Sequence, residues 1–205
     1  MKIIVIVIDG LADEKIPALG KKTPLEDAFT PNLNLMASRG EYGLIIPFRK
    51  KGELPTSEDC HFALLGYNPE KDSPSRGVLE VLGTGEKILK SDLCLRANLA
   101  SVNENLIILD RRAGRVDPSL KLIRDLNKIK IQGVKILIKK AFGYRLAMII
   151  RGKNLSSQIS SNDPKKTGKK VLTIKPFDNN FKSHYTAQIL NAFLEKSHQL
   201  LKNHP

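Results

Sequence analysis

The feature that most restricts this chain lies at its start, where residues 2–8 read Lys-Ile-Ile-Val-Ile-Val-Ile and stop at Asp9-Gly10. Six consecutive β-branched residues disfavour a helix, because their branched Cβ atoms crowd the preceding turn, and they leave no polar face for water. A segment so short and apolar on both sides predicts a central parallel strand, covered by helices above and below. Open α/β sheets bind their ligands outside the carboxyl ends of such strands, so Asp9 stands where chemistry is expected. A carboxylate at that place either holds a hard divalent cation or serves an Asp-Gly turn or helix cap. Both readings stay open on position alone.

The same run is far shorter than the roughly 20 residues a spanning helix needs, and the acid directly after it leaves no small-residue cleavage site. Neither a membrane anchor nor a signal peptide is expected. Cys60 and Cys94 fall in separate predicted elements and form no metal-type pair, so both are expected to be reduced, as suits a cytoplasmic protein. A formal charge of +13 would attract nucleic acid, anionic membranes or phosphorylated small molecules. The cations are spread along the chain, with short runs at Arg49-Lys50-Lys51, Lys139-Lys140, Lys165-Lys166 and Lys169-Lys170. With aromatic residues at only 5% and no stacking signature, a solvated basic surface is expected and nucleic acid is disfavoured.

Further along, Thr30-Pro31 opens a helix that ends near Gly40 and would turn Leu33, Met36 and Ala37 inward. Residues 44–48 read as a second strand and 49–55 as a loop. Short helices follow at 58–65, closed by Gly66, and at 78–82, before Gly83-Thr84-Gly85. Near Leu93 the character changes. Residues 94–102 and 106–109 read as paired strands around Asn103-Glu104-Asn105, and 118–128 as a helix with Leu122, Ile123 and Leu126 on one face. Residues 134–138, 145–151 and 171–174 read as further strands, and 153–170 as a loop rich in Ser, Asn and Lys. This block predicts a separate α+β unit. A helical stripe of Ile189, Leu190, Phe193, Leu194, Leu200 and Leu201 follows, with a break expected at Ser197.

Three places carry chemistry. Ser57 precedes a predicted helix, so its hydroxyl either caps that helix or, beside unpaired N–H groups, accepts a phosphoryl group. His61 lies four residues on, but no group to orient it is identifiable, which predicts a packed structural histidine. The third place is Asp110-Arg111-Arg112-Ala113-Gly114-Arg115, with Arg96 on the preceding strand. Such arginines either form a solvated turn or converge on a carboxylate and a phosphate; Arg96 in a largely apolar strand tilts the reading towards anion binding.

These pieces recur together. Asp9-Gly10, residues 19–25 (LGKKTPL), Thr30-Pro31-Asn32-Leu33, the Ser57 segment and residues 61–69 (HFALLGYNP) jointly resemble the archaeal-type cofactor-independent phosphoglycerate mutases. So do Arg76-Gly77 with Glu80, residues 82–85 (LGTG), Arg96-Ala97-Asn98 and residues 110–115 (DRRAGR). The resemblance implies an α/β fold: a partial alkaline-phosphatase-like core with an inserted smaller α+β domain. Residues 1–88 would be the amino-terminal part of the metal-binding core, 89–178 the inserted substrate-capping domain, and 179–205 a helix returning to the core. It implies interconversion of 3-phosphoglycerate and 2-phosphoglycerate through a phosphoserine on Ser57, without 2,3-bisphosphoglycerate. Asp9 and Ser57 would be metal ligands for divalent ions (manganese, magnesium or zinc, two in a complete enzyme). Arg96, Asp110, Arg111 and Arg115 would bind substrate.

The chain also departs from the pattern. Thr56-Ser57-Glu58 stands where the family has Gly-Ser-Asp, and Tyr144-Arg145 where it has a histidine before the arginine. Ser161-Asn162-Asp163-Pro164-Lys165 stands for Asp-Xaa-Asp-Pro-His, and Ser157 for the acid before it. Family members run to about twice this length, and their other half supplies Asp and His ligands. The isolated chain is therefore expected to be inactive: it is truncated, or completed by a second chain, or a non-catalytic relative that binds a phosphorylated ligand. An incomplete core would also leave strand edges open to self-association.

Overall fold

The computed structural model describes residues 2–8, 10–46, 55–202 and 204, and the chain divides into two compact units, residues 1–47 and 48–205. In the first unit α1 (Pro24–Asp27) begins with a reciprocal capping box. The Thr23 hydroxyl accepts from the Glu26 N–H at 3.2 Å, and the Glu26 carboxylate accepts from the Thr23 N–H at 2.7 Å. In α2 (Pro31–Arg39) Pro31 starts the helix as expected, while the Thr30 hydroxyl meets the Asn34 side chain instead of capping the backbone.

Three expectations for this unit fail. Residues 2–8 join no ladder among the described residues, and their side chains remain exposed, Ile4 to 84%. A strand apolar on both faces needs a hydrogen-bonded neighbour and cover from both sides; no described segment supplies either. Likewise residues 44–46 form no strand, and Leu33 and Met36 are exposed instead of turned inward. Pro47, Phe48 and residues 49–54 of the loop expected at 49–55 lie outside the described residues.

The second unit is built around a three-stranded antiparallel sheet of β1 (Leu93–Asn98), β4 (Val134–Lys140) and β5 (Arg145–Gly152), in the order β1-β5-β4. Its central strand reads Arg-Leu-Ala-Met-Ile-Ile-Arg-Gly, and its apolar residues are buried on both faces. Leu146, Met148 and Ile150 pack with Leu122, Ile123 and Leu126 of α6 (Leu120–Asn127) and with Ala187, Ile189, Leu190 and Phe193 of α7 (Phe181–Lys202). Ala147 and Ile149 face the other way, onto Val81 of α5 (Arg76–Gly83) and Cys94 of β1. The result is three layers: α5, the sheet, then α6 with α7.

Polar side chains tie the layers together. Asn127 at the end of α6 donates to the Ile123 and Ile138 carbonyls at 2.9 Å each and accepts from the Ile138 N–H at 2.8 Å. Asn191 of α7 accepts from the Ile174 N–H at 3.0 Å and donates to the Ile174 carbonyl at 2.9 Å. That exchange explains why residues 171–174 are not the strand their composition predicts: a helix side chain satisfies Ile174 where a strand would. The segment expected as one strand at 94–102 is two. β1 pairs with β5, and only β2 (Ser101–Val102) pairs with β3 (Ile108–Asp110), through a bulge. The helix is also unbroken at Ser197, which is buried within α7.

α3 (Ser57–Leu64) and α4 (Pro69–Asp72) precede α5. α5 rides directly on β1, because a Cβ added to Gly77 would lie 2.1 Å from the Cys94 carbonyl oxygen and 2.6 Å from the Leu95 Cα. Among the described residues no helix is long and apolar enough to cross a membrane.

Urea unfolding of Ile150→Ala should show a loss of about 2–5 kcal/mol, since the side chain is fully buried at the centre of the sheet. Gly77→Ala has no space to relax into and should cost about 1–3 kcal/mol through overpacking. A change at Gly77 within 0.5 kcal/mol of neutral would show that α5 does not rest on the β1 backbone.

Candidate functional site

Ser57 is not the cap of its helix. Thr56 is: its hydroxyl accepts from the Asp59 N–H at 3.2 Å, while the Asp59 carboxylate accepts from the Thr56 N–H at 3.2 Å and the Thr56 hydroxyl at 2.9 Å. Ser57 thus occupies the first helical position, exposed, beside the N–H groups of the first turn. The ring of His61 is exposed rather than packed. Its Nδ1 lies 2.6 Å from the Ser57 carbonyl oxygen, so Nδ1 donates to the backbone and is no base for the Ser57 hydroxyl. Glu58 is turned to Arg76 at the start of α5, with Oε1 2.5 Å from Nε. Burial on its own would raise the Glu58 carboxyl, but hydrogen bonding at its own backbone N–H and the Arg76 charge bring it below the usual range.

Beyond this pair opens a cavity of about 600 Å³ lined by five cationic side chains, Arg76, Arg96, Arg111, Arg112 and Lys165, against the single carboxylate of Asp163. Asn98, Tyr144, Ser161 and Asn162 add polar groups. Each element has its part. β1 carries Arg96 outward, opposite Ala147 of β5; the turn after β3 delivers Arg111 and Arg112; the loop 161–165 closes the rim. Arg112 lies over the Tyr144 ring, 5.7 Å from its centre. Glu80, four residues after Arg76 on α5, reaches both Arg96 at 3.5 Å and Arg145 at 3.4 Å. Burial, then the nearby Arg76 and Arg145 charges, push the Arg96 guanidinium below its ordinary value. Arg111 forms a two-pronged pair with Asp163 at 3.1 and 2.6 Å. Those hydrogen bonds, ahead of every other influence, hold the Asp163 carboxyl below the usual carboxylate range. Positive charge exceeds negative in this space, which fits a small, multiply charged anion.

Of the residues singled out in the sequence, Arg96 and Arg111 come together here. Asp110 and Arg115 do not line the cavity. The Asp110 carboxylate accepts from the Arg112 N–H at 2.8 Å and the Gly114 N–H at 2.6 Å, which holds its carboxyl below the usual range and folds the turn. That turn is strained: Ala113, Gly114 and Arg115 have φ of 45°, 65° and 59°, natural only for the glycine. Asp110 therefore aims the arginines. Sequence reasoning counted Arg112 among the anion-binding arginines of the 110–115 turn without naming it a substrate residue, and left Arg76 and Lys165 out of the site. Arg76 had a usable signal in its i,i+4 spacing to Glu80; Lys165 comes from an irregular loop and had none.

A metal site does not emerge. Among the described residues no three His, Cys, Asp or Glu side chains gather in a way that could hold a metal ion. Close to Ser57, Glu58 is turned to Arg76 and Asp59 to the helix cap. Asp9 lies outside the described residues. The acids that are described do not fit a divalent ion.

Comparison with known proteins agrees with the motifs. A family model described as 2,3-bisphosphoglycerate-independent phosphoglycerate mutase matches residues 37–205. Proteins of that name from Methanosphaera stadtmanae and Methanopyrus kandleri are 39% and 40% identical over the whole of this chain, which covers 50% of each. The solved cofactor-independent phosphoglycerate mutase from Thermoplasma acidophilum aligns over 97% of the chain and 51% of its own length, with 35% identity and a TM-score of 0.59. The chain thus spans about half the length of the curated relatives it matches. At this identity and coverage, the chain belongs to the family of 2,3-bisphosphoglycerate-independent phosphoglycerate mutases.

Proposed function

We propose that this chain is the part of a phosphoglycerate mutase that binds the phosphorylated substrate and carries the phosphoryl-accepting serine. The observation that carries the reading is the cationic cavity, whose five positive side chains face one carboxylate. Both 3-phosphoglycerate and 2-phosphoglycerate bear a carboxylate and a phosphate on a three-carbon frame, and paired guanidinium groups bind both kinds of anion through two-pronged hydrogen bonds. In this reading Arg96 and Arg111 take the anionic groups, Asp110 and Arg115 shape the turn that presents Arg111 and Arg112, and the 89–178 block caps the substrate. Ser57 offers an uncommitted position at a helix start for the phosphoryl group in transit.

The chemistry of transfer needs more than this chain's described residues. A serine hydroxyl is a weak nucleophile until a base or a metal ion lowers its pKa. The Nδ1 of His61 is committed to the Ser57 carbonyl, and no metal-holding cluster exists among the described residues, so no step through a metal is assigned here. In the proposal, divalent ions and Asp9 enter only together with a segment corresponding to the remaining half of the full-length relatives. The exposed apolar segment 2–8 would then become an inner strand of the shared core. A second reading, a non-catalytic relative that keeps ligand binding, is favoured by one observation: Glu58 beside Ser57 is turned to Arg76.

Calorimetry with 3-phosphoglycerate should detect binding to the isolated chain. Arg96→Ala and Arg111→Ala should each weaken it about 10- to 150-fold, the loss of about 1.5–3 kcal/mol typical for hydrogen bonds to charged groups. No heat from the unmodified chain would remove the ligand-binding reading. The purified chain with manganese should not isomerise phosphoglycerate, and adding the complementary half of a relative should restore turnover. If the mixture stays inert while 3-phosphoglycerate still binds, the non-catalytic reading stands.

A further inference from the structure

Each inner arginine of the cavity already has a carboxylate: Arg76 has Glu58, Arg96 has Glu80 and Arg111 has Asp163. An entering anion must therefore compete, and the three pairs differ in how readily they yield. Arg111 and Asp163 are joined by two hydrogen bonds, and the Asp110 turn fixes Arg111 at its base. Glu80 is shared between Arg96 and Arg145 and sits 11% exposed. The Arg76 to Glu58 pair rests on one contact through Nε, and the Arg76 side chain is 50% exposed. Arg76 is also the residue common to the large cavity and to a neighbouring one of about 510 Å³ that Glu58, Glu80 and Arg145 line. It stands at the junction between the ligand space and the serine's neighbour.

We propose that Arg76 is a further anion-binding residue whose availability Glu58 controls: a phosphorylated ligand among Arg96, Arg111 and Arg112 draws the Arg76 guanidinium off Glu58 and frees that carboxylate one residue from Ser57. A phosphate carries more charge than a carboxylate and offers more acceptor oxygens, so the exchange favours the ligand once it is seated. Glu58 is not stranded by the loss. It lies in the first turn of α3, where the positive end of the helix favours an ionised carboxylate. The freed carboxylate is then the acid nearest in sequence to the serine. Ligand arrival and the charge state around Ser57 are thereby coupled through one side chain. This inference rests on the cavity being the phosphoglycerate site.

The test is a mutant cycle read by calorimetry, with 3-phosphoglycerate and inorganic phosphate as probes and a thermal melt to check folding. Glu58→Gln removes the competing charge and should tighten binding of both probes about three- to tenfold. Arg76→Gln should weaken it, and adding E58Q to R76Q should give no further gain, because the gain acts only through Arg76. Binding by the unmodified chain with E58Q unchanged, or with a gain that survives in the double variant, would overturn the coupling and leave the cavity reading intact. No binding by any variant would overturn both. Should E58Q fail to fold, Glu58→Asp, which shortens the reach to Arg76, should give the same tightening in smaller measure, and its absence would count equally against the coupling.

Discussion

The second unit depends on one strand whose two faces are both buried. β5 places Leu146, Met148 and Ile150 against the helices α6 and α7, and Ala147 and Ile149 against α5. An antiparallel sheet of three strands is usually free to expose one face to water. Here burial on both sides forbids that, so helices lie on opposite faces of the sheet. The site inherits its geometry from this arrangement. Arg96 stands opposite Ala147 in the β1 and β5 register, and Arg145 opens β5 opposite Asn98. A slip of one residue would turn Arg96 into the core and a leucine into the cavity.

Much of this was readable from residue patterns, for a physical reason. β5, α6 and most of α7 are segments whose hydrophobic period matches the element they form, and local preference agrees with burial. The failures occurred where satisfaction came from a distance. Residues 2–8 have the composition of an inner strand, but composition cannot supply the neighbour that a strand requires. Residues 94–102 look continuous, yet after Asn98 the chain leaves one sheet through Leu99 and Ala100 and enters another hairpin. Ile174 lies in a β-branched run, but Asn191 of a helix answers its backbone. At the site the same rule holds. Arg96 and Arg111 were legible because arginine in a strand or tight turn needs an explanation, whereas the role of Asp110 depends on N–H groups that only a folded turn presents. Ser57 read as the natural cap because serine commonly is one; that Thr56, one residue earlier, takes the cap follows from where the helix starts.

The charge of the chain acquires a different meaning once the pairs are located. A formal +13 spread over the sequence reads as surface solvation, and much of it is. In the cavity, however, positive groups are held near one another by acids placed behind them. Glu80 spans two arginines, Asp163 clamps a third and Glu58 meets a fourth. The acids lessen the repulsion among the cations without removing the net excess that faces the open space. Stability of the empty cavity and affinity for an anion are thus set by the same few contacts.

The contact of Gly77 with the β1 backbone carries this further. Because nothing separates α5 from the strand beneath it, the helix has no freedom to slide or roll, and Arg76 and Glu80 leave it from fixed points. The arginine that meets Glu58 and the glutamate that meets Arg96 are therefore registered to each other through main-chain atoms. A substitution at the tip of either side chain would change the chemistry there while leaving the spacing of their origins as it is. The missing methyl at one glycine acts as the gauge block for the whole constellation.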